Sequence, residues 1–275
     1  MLIAQITDLH LRPRGKAAYR VSETNMFAER AFDVLAALRP VPDAVLITGD
    51  LTDCGLPEEY EILHGLLKRL RMPVFAVPGN HDRRATMHEA IPGCAPLQPS
   101  TDFIQFAVET FPLRLIGLDT VVPGKSEGAL CSERLAFLDR ALAAAPDRPT
   151  LLFMHHPPFV SGVDHMDRIR LLEGGPAFVD VLERHPQVQN VICGHVHRKI
   201  VTRIGNAICS TAPSIGHQVA FDFRNGAEGG LVFEPPAFDL HWVRPDGGMV
   251  SHTVYIERFP GPYPFALDPD YPGAH

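Results

Sequence analysis

Six short apolar runs punctuate the chain: LIAQITD at 2–8, DAVLITGD at 43–50, MPVFAVPGN at 72–80, LRLIGLD at 113–119, PTLLFMHH at 149–156 and NVICGHVH at 190–197. Runs this short, apolar at successive positions and bounded by Gly, Pro or Asp, read as strands buried on both faces. Between the first two, Phe27, Ala31, Val34, Leu35 and Leu38 share one helical face, and between the next two Tyr60, Leu63, Leu66, Leu67 and Leu70 do the same. Strand, helix, strand, helix, strand in this order demands adjacent parallel strands joined by right-handed crossovers. The chain is therefore expected to be α/β. Ser132 opens a further helix through Leu135, Leu138 and Leu142, and GPAFVDVLERHP at 175–186 gives one more. After Val201 the texture changes to AICSTAP, LVFEPPAFDLHWV and MVSHTVYIERF, separated by Gly- and Pro-rich turns. An α/β body over residues 1–220 and a β-rich C-terminal appendage over 221–275 are expected.

Composition narrows the function classes. The net charge of −7, with no long basic cluster, argues against a duplex nucleic acid as partner. Five scattered cysteines with no C-x-x-C argue against a zinc ribbon or a disulfide framework and fit a reducing cytoplasm. The N-terminal MLIAQITDLH lacks a signal-peptide pattern, and no segment reaches the ~18 uninterrupted apolar residues of a membrane span.

The chemistry lies at the strand ends. Asp8 and His10 follow the first run, Asp50 the second, Asn80 and His81 the third, His155 and His156 the fifth, His195 and His197 the sixth. In an open α/β sheet, ligands bind beyond the carboxyl ends of the strands, so these side chains should converge. One Asp in such a place is readily a helix cap or an Asx-turn, and an isolated H-x-H is readily one core and one surface histidine. Five strands ending this way point instead to a metal centre. Gly194 is expected to bend the backbone so that His195 and His197 lean toward one point. Carboxylate, amide oxygen and imidazole without thiolate suit two divalent ions of the Zn, Mn, Fe or Co type. Asp50, the only strong ligand of its strand, is the natural bridge, lending one oxygen to each ion. Two ions ~3.5–4 Å apart polarise a phosphoryl group, and coordination lowers a water's pKa to roughly 7, which supplies hydroxide at neutral pH.

In order, DLH at 8–10, GDLTD at 49–53, GNHD at 79–82, HHPP at 155–158 and GHVH at 194–197 resemble the signature of the calcineurin-like metallophosphoesterases. GDLTDCG and HHPP are similar to the bacterial class III branch, the cyclic-nucleotide and glycerophosphodiester phosphodiesterases. The resemblance implies a four-layer αββα sandwich, and a homo-oligomer built through the C-terminal appendage. It assigns Asp8, His10, Asp50 and His197 to one metal, and Asp50, Asn80, His156 and His195 to a second, the pair being divalent or mixed-valence. His155 then falls behind His156 as a supporting group. His81 resembles the family's non-ligand histidine that stabilises the phosphoryl transition state or protonates the leaving oxygen, with Asn80 beside it at the substrate. His217 is a candidate to reach the substrate, its other reading being a surface loop. Asp53 and Asp82 are read as loop braces or as groups that orient imidazoles. His64, His88, His165, His185, His241 and His252 fall in no motif. The protein-phosphatase branch has an arginine where this chain has Cys54, so the clamp for a monoester dianion is missing and a small phosphodiester is the expected substrate. A phosphomonoesterase, a nucleotide-sugar pyrophosphatase and a catalytically inactive binding scaffold are the alternatives on the same fold.

Overall fold

A computed structural model describes residues 1–98, 101–244 and 248–263. The N-terminal half contains β1 (Leu2–Ile6), α1 (Thr24–Ala37), β2 (Ala44–Thr48), α2 (Pro57–Leu67), β3 (Val74–Val77), α3 (Arg84–Ala90), β4 (Phe106–Val108), β5 (Arg114–Leu118) and β6 (Gly128–Ala129). There follow α4 (Ser132–Ala143), β7 (Thr150–Met154), α5 (Asp164–Asp167), β8 (Leu171–Glu173), α6 (Gly175–Arg184), β9 (Val188–Cys193), β10 (Ile200–Ile204) and β11 (Ala207–Thr211). The C-terminal part adds β12 (Gln218–Val219), β13 (Leu231–Val232), β14 (Ala237–Val243) and β15 (Met249–Tyr255).

Two sheets face each other, one in the order β15-β14-β1-β2-β3 and one in the order β10-β11-β9-β7-β5-β4. The strands β1, β2 and β3 are parallel, as are β5, β7, β9 and β11. The second sheet shows the period-2 logic of a strand buried on both faces. Leu115, Leu151, Phe153 and Ile192 pack into the core shared with the first sheet. Ile116, Leu152, Met154 and Val191 alternate with them and pack under α4 and α6 on Leu138, Leu142, Phe178 and Leu182. Ala28, Phe32 and Leu35 of α1 and Tyr60, Leu63 and Leu66 of α2 belong to the first-sheet core. The result is the expected α/β sandwich, with helices outside both sheets.

The helices are shorter than their apolar patterns, because Leu38 caps α1 with extended backbone just before Pro40 and Leu70 lies beyond the end of α2. Pro57 occupies the first turn of α2, where its missing N–H costs nothing. The fully buried Glu59 accepts hydrogen bonds from the N–H groups of Cys54 and Leu56 and so fixes the start of that helix. After residue 220 the chain builds onto the first sheet: β14 pairs antiparallel with β1, opposite Leu2 at Trp242, and β15 forms the edge. LVFEPPAFDLHWV divides at Pro235 and Pro236 into β13 and β14, since two prolines interrupt any ladder.

Candidate metal centre

The strand ends meet where the two sheets converge. Beyond β1 and β2 the pairing continues through the loops, with Asp8 N–H donating to the Gly49 carbonyl, His10 N–H to that of Asp50 and Leu11 N–H to that of Leu51. In these loops Asp8, His10, Asp50, His195 and His197 adopt left-handed backbone, at φ 53°, 46°, 48°, 70° and 57°. Each such non-glycine residue costs ~1–3 kcal/mol and persists only where its surroundings over-determine it. The bend expected of Gly194 is therefore made by the two histidines themselves. Gly194 serves close approach instead: a Cβ there would collide with Thr7 Oγ1 and lie 2.7 Å from the Thr48 carbonyl and 3.0 Å from Asp8 Oδ2.

Hydrogen bonds fix the tautomers. His10 Nδ1 faces Asp53 Oδ1 at 3.2 Å, His155 Nδ1 faces the Thr48 carbonyl at 2.8 Å and His197 Nδ1 faces the His217 carbonyl at 2.8 Å. These partners only accept, so each Nδ1 carries the proton and each Nε2 presents a lone pair. His10 Nε2 and His197 Nε2 lie 3.2 Å apart, with Asp8 Oδ1 at 3.4 Å from His197 and Asp50 Oδ2 at 3.7 Å from His10. His155 Nε2 lies 3.3 Å from the same Asp50 Oδ2, 3.2 Å from Asn80 Oδ1 and 3.2 Å from His195 Nδ1. Two buried groups of acceptors thus share one carboxylate oxygen. Such convergence is repulsive unless positive charge sits between the atoms. His195 Nε2 is in addition buried with no hydrogen-bond partner among the described residues. The donor set fits two cations. Asp50 faces both groups through Oδ2 alone, because Oδ1 accepts the His81 N–H at 2.9 Å.

Of the two adjacent histidines, His155 turns its Nε2 toward the shared Asp50 oxygen, at 3.3 Å, where the sequence expectation was His156. Both ring nitrogens of His156 have other partners, Nδ1 with Thr120 Oγ1 at 2.7 Å and Nε2 with the Ser126 carbonyl at 3.1 Å, while a ring nitrogen still lies within 4.8 Å of those of His155 and His195. His155 continues the inward parity of Leu151 and Phe153, whereas His156 continues the outward parity of Leu152 and Met154.

Around this core, Asp53 receives His10 through its side chain and His81 Nδ1–H through its backbone carbonyl at 2.7 Å. Asp82 ties the two loops together, accepting from Leu51 N–H, Thr52 N–H, Tyr60 O–H and Gly79 N–H. His217 is buried, not a surface-loop residue, its ring centroid 4.9 Å from that of His197 and its Nδ1 3.2 Å from Ser22 Oγ. A cavity of about 450 Å³ opens over the cluster, lined by His10, Asp50, Asn80, His81, His195, His197 and His217 at its floor and by Tyr19, His165, Met166, Ile169, Val219 and Leu231 above. Tyr19 and His165 carried no motif signal. A larger groove of about 780 Å³ between α1 and the segment after β15 is lined by Arg30, Val34, Leu38 and Ile256 and gathers no comparable donor set.

Electrostatics follow the geometry. Burial alone would raise Asp8 and Asp50, but His197 holds Asp8 down to about 2, and His155 and His81 hold Asp50 well below the usual carboxylate range. Burial works against charge on His155, yet Asp50 beside it raises its pKa to about 9. Burial and the neighbouring His155 push His195 down to about 3. The acids stay ionised and the cluster demands cationic charge at its centre.

A sandwich of two sheets that gathers carboxylate, amide and imidazole donors around one shared carboxylate oxygen defines a protein of the metallophosphoesterase class. Residues 1–199 match the calcineurin-like phosphoesterase family, and the chain belongs to it. A protein of Arcobacter nitrofigilis named as a probable glycerophosphodiester phosphodiesterase is 38% identical over 265 residues, covering 96% of this chain and 97% of its own. One from Synechococcus named as a probable cyclic nucleotide phosphodiesterase is 35% identical over 259 residues, 93% of this chain and 92% of its own. Among solved structures, a dimetal phosphatase from Danio rerio shares the fold with a TM-score of 0.63 at 15% identity, over 93% of this chain and 98% of that one.

Proposed function

We propose that this chain is a dinuclear-metal phosphodiesterase acting on small phosphodiesters of the glycerophosphodiester or cyclic-nucleotide type. The observation that carries the reading is the Asp50 Oδ2 atom shared by two buried groups of acceptors. Asp8, His10, Asp50 and His197 would hold one cation; Asp50, Asn80, His155 and His195 would hold the other. When bound, two ions of the Mn, Fe, Zn or Co type supply Lewis acidity toward a phosphoryl oxygen and lower the pKa of coordinated water to roughly 7. His81 lines the cavity, and although burial lowers its pKa, Asp50 and Asp53 raise it above the ordinary value. This shift favours the protonated ring, the form that can stabilise the phosphoryl group and give its proton to the leaving oxygen.

A diester is favoured over a monoester because no lysine or arginine among the described residues lines the cavity. Arg12 is held away by Glu59 Oε1 at 2.8 Å, Cys54 Sγ at 2.7 Å and Asp53 Oδ2 at 3.5 Å, and Arg83 lines an adjoining cleft. The second charge of a monoester dianion would find no bidentate partner. The names of the relatives support the same choice. Among the described residues no helix is long and apolar enough to cross a membrane. The free cysteines support a reducing, cytoplasmic setting, and exposed Trp242, Val250, Tyr255 and Phe259 support self-association through the C-terminal part. The test is a chelated preparation reloaded with Mn, Co or Zn and given matched aryl phosphate mono- and diesters. Metal-restored turnover with the higher kcat/KM for the diester is expected, and a clear preference for the monoester overturns the reading.

A further inference from the structure

Tyr19 stands in a place that packing does not explain. It and Arg20 are consecutive non-glycine residues in the left-handed region, at φ 49° and 64°. L-residues avoid that region, and a pair in succession persists only when the surroundings impose it. The turn is closed by Ala18 N–H donating to the Ser22 carbonyl at 2.8 Å and Ser22 N–H donating back to Ala18 at 2.9 Å. Ser22 Oγ in turn meets His217 Nδ1 at 3.2 Å, which ties the turn to the cavity wall. The strain secures no core contact for the phenol, because Tyr19 remains 53% exposed. Its ring lies edge-on to His217 with centroids 5.3 Å apart, and 6.3 Å from His10, at the edge of the acceptor cluster. The cavity wall it shares is mostly aliphatic, with Met166, Ile169, Val219 and Leu231 beside His165. Among the described residues Asp50 is the only carboxylate lining this cavity, and no lysine, arginine or glutamate does.

We propose that Tyr19 is a substrate-binding residue whose ring, with these aliphatic side chains, packs an organic arm of the phosphodiester, and that the arm carries no negative charge. The inference rests on the phosphodiesterase reading and adds the residue and the kind of arm. An anionic arm would lose its hydration in the cavity without gaining an ionic partner, whereas an aromatic or aliphatic arm gains from the same wall.

The test uses metal-loaded protein and non-hydrolysable monoanions, diphenylphosphinate and dimethylphosphinate, with Kd measured by calorimetry. Tyr19→Gly accepts the left-handed backbone without strain, so its Tm should equal or exceed that of the wild type. Its Kd for diphenylphosphinate should rise about tenfold, as for loss of an aromatic contact, while that for dimethylphosphinate, too small to reach the ring, should stay within about twofold. Tyr19→Phe keeps the ring and should bind both like the wild type. A diphenylphosphinate analogue with a carboxylate on one ring should bind the wild type at least about tenfold more weakly than the parent. Equal losses for both phosphinates in Tyr19→Gly, or no loss, would overturn the role of Tyr19, and undiminished binding of the carboxylate analogue would overturn the exclusion of a negatively charged arm. Wild-type protein that binds diphenylphosphinate but hydrolyses no aryl diester would instead refute the phosphodiesterase reading.

Discussion

Removing the metals should invert the way stability responds to alkali. In the metal-free protein, burial opposes charge on His155, but Asp50 outweighs it and lifts the pKa from 6.5 to about 9. The difference in proton affinity is worth about 3 kcal/mol. Because the folded state holds this proton more tightly than the unfolded chain does, the contribution is complete below pH 6.5 and is lost as pH rises through about 9. His197 and His81, raised by Asp8 and Asp50 against the effect of burial, act in the same direction. His195, His217 and His241, each pushed down to about 3 by burial first, act on the acid side. They are neutral when folded but take up protons when unfolded, so their contribution is present above pH 6.5 and declines as pH falls toward about 3. The chelated protein should therefore be most stable near pH 6.5. In excess Mn or Zn the slope above that pH should reverse, since bound metal requires these imidazoles deprotonated and its binding releases protons. Urea unfolding at pH 6.5, 7.5 and 9, with chelator and with metal, measures both slopes. A chelated protein whose stability is flat or increasing across that interval would refute the charge arrangement at Asp50 and His155.

Substitutions should separate the ligating from the supporting groups. His155→Ala should leave only one tightly bound metal per chain by elemental analysis and cost at least about 100-fold in activity, more than the loss of an outer-shell partner; normal metal content would contradict the assignment. His156→Ala should keep both metals and instead lower stability by about 2–4 kcal/mol, since it empties a buried site and orphans Thr120 and Ser126; loss of one metal would restore His156 as a ligand. Asp50→Asn keeps the shape but removes the shared anionic oxygen, so titration should show both sites weakened, and unchanged occupancy would exclude the bridge. His81→Ala should retain the metals yet slow hydrolysis by ~10²–10⁴-fold, most for poor leaving groups; an equal loss across a leaving-group series would show that His81 stabilises charge without donating a proton.

The alternation of apolar runs and helical faces was enough to read the parallel strands, and the residues after those runs marked the convergence point. What remained hidden depends on which face of a strand turns inward. Thr150 to Met154 is apolar on both faces because helices cover one side and the opposite sheet the other. Alternation therefore gives no direction there, and His155 could not be told from His156. Tyr19 was hidden for another reason, since left-handed backbone at a tyrosine leaves no trace in composition or spacing. The attachment of β14 to β1 joins residues more than two hundred positions apart, which local patterning does not report.

The centre is also the seam of the fold. Gln5 of β1 donates through Nε2 to Thr48 Oγ1 of β2 at 3.0 Å and to the Cys193 carbonyl of β9 at 2.9 Å, bridging the sheets beneath the cluster. His155 crosses the seam from one side through the Thr48 carbonyl, and the His195 N–H crosses it from the other to Asp8 Oδ2 at 3.1 Å. The left-handed residues lie in the loops that these bonds hold. Closing the two sheets on each other and aiming the acceptors at common points are thus the same act of folding, and bound cations would take the place of the protons that neutralise the acceptors in their absence. Metal affinity and sandwich stability should consequently be coupled, so that a change such as Gly194→Ala, which drives a Cβ into Thr7 and Thr48, weakens both.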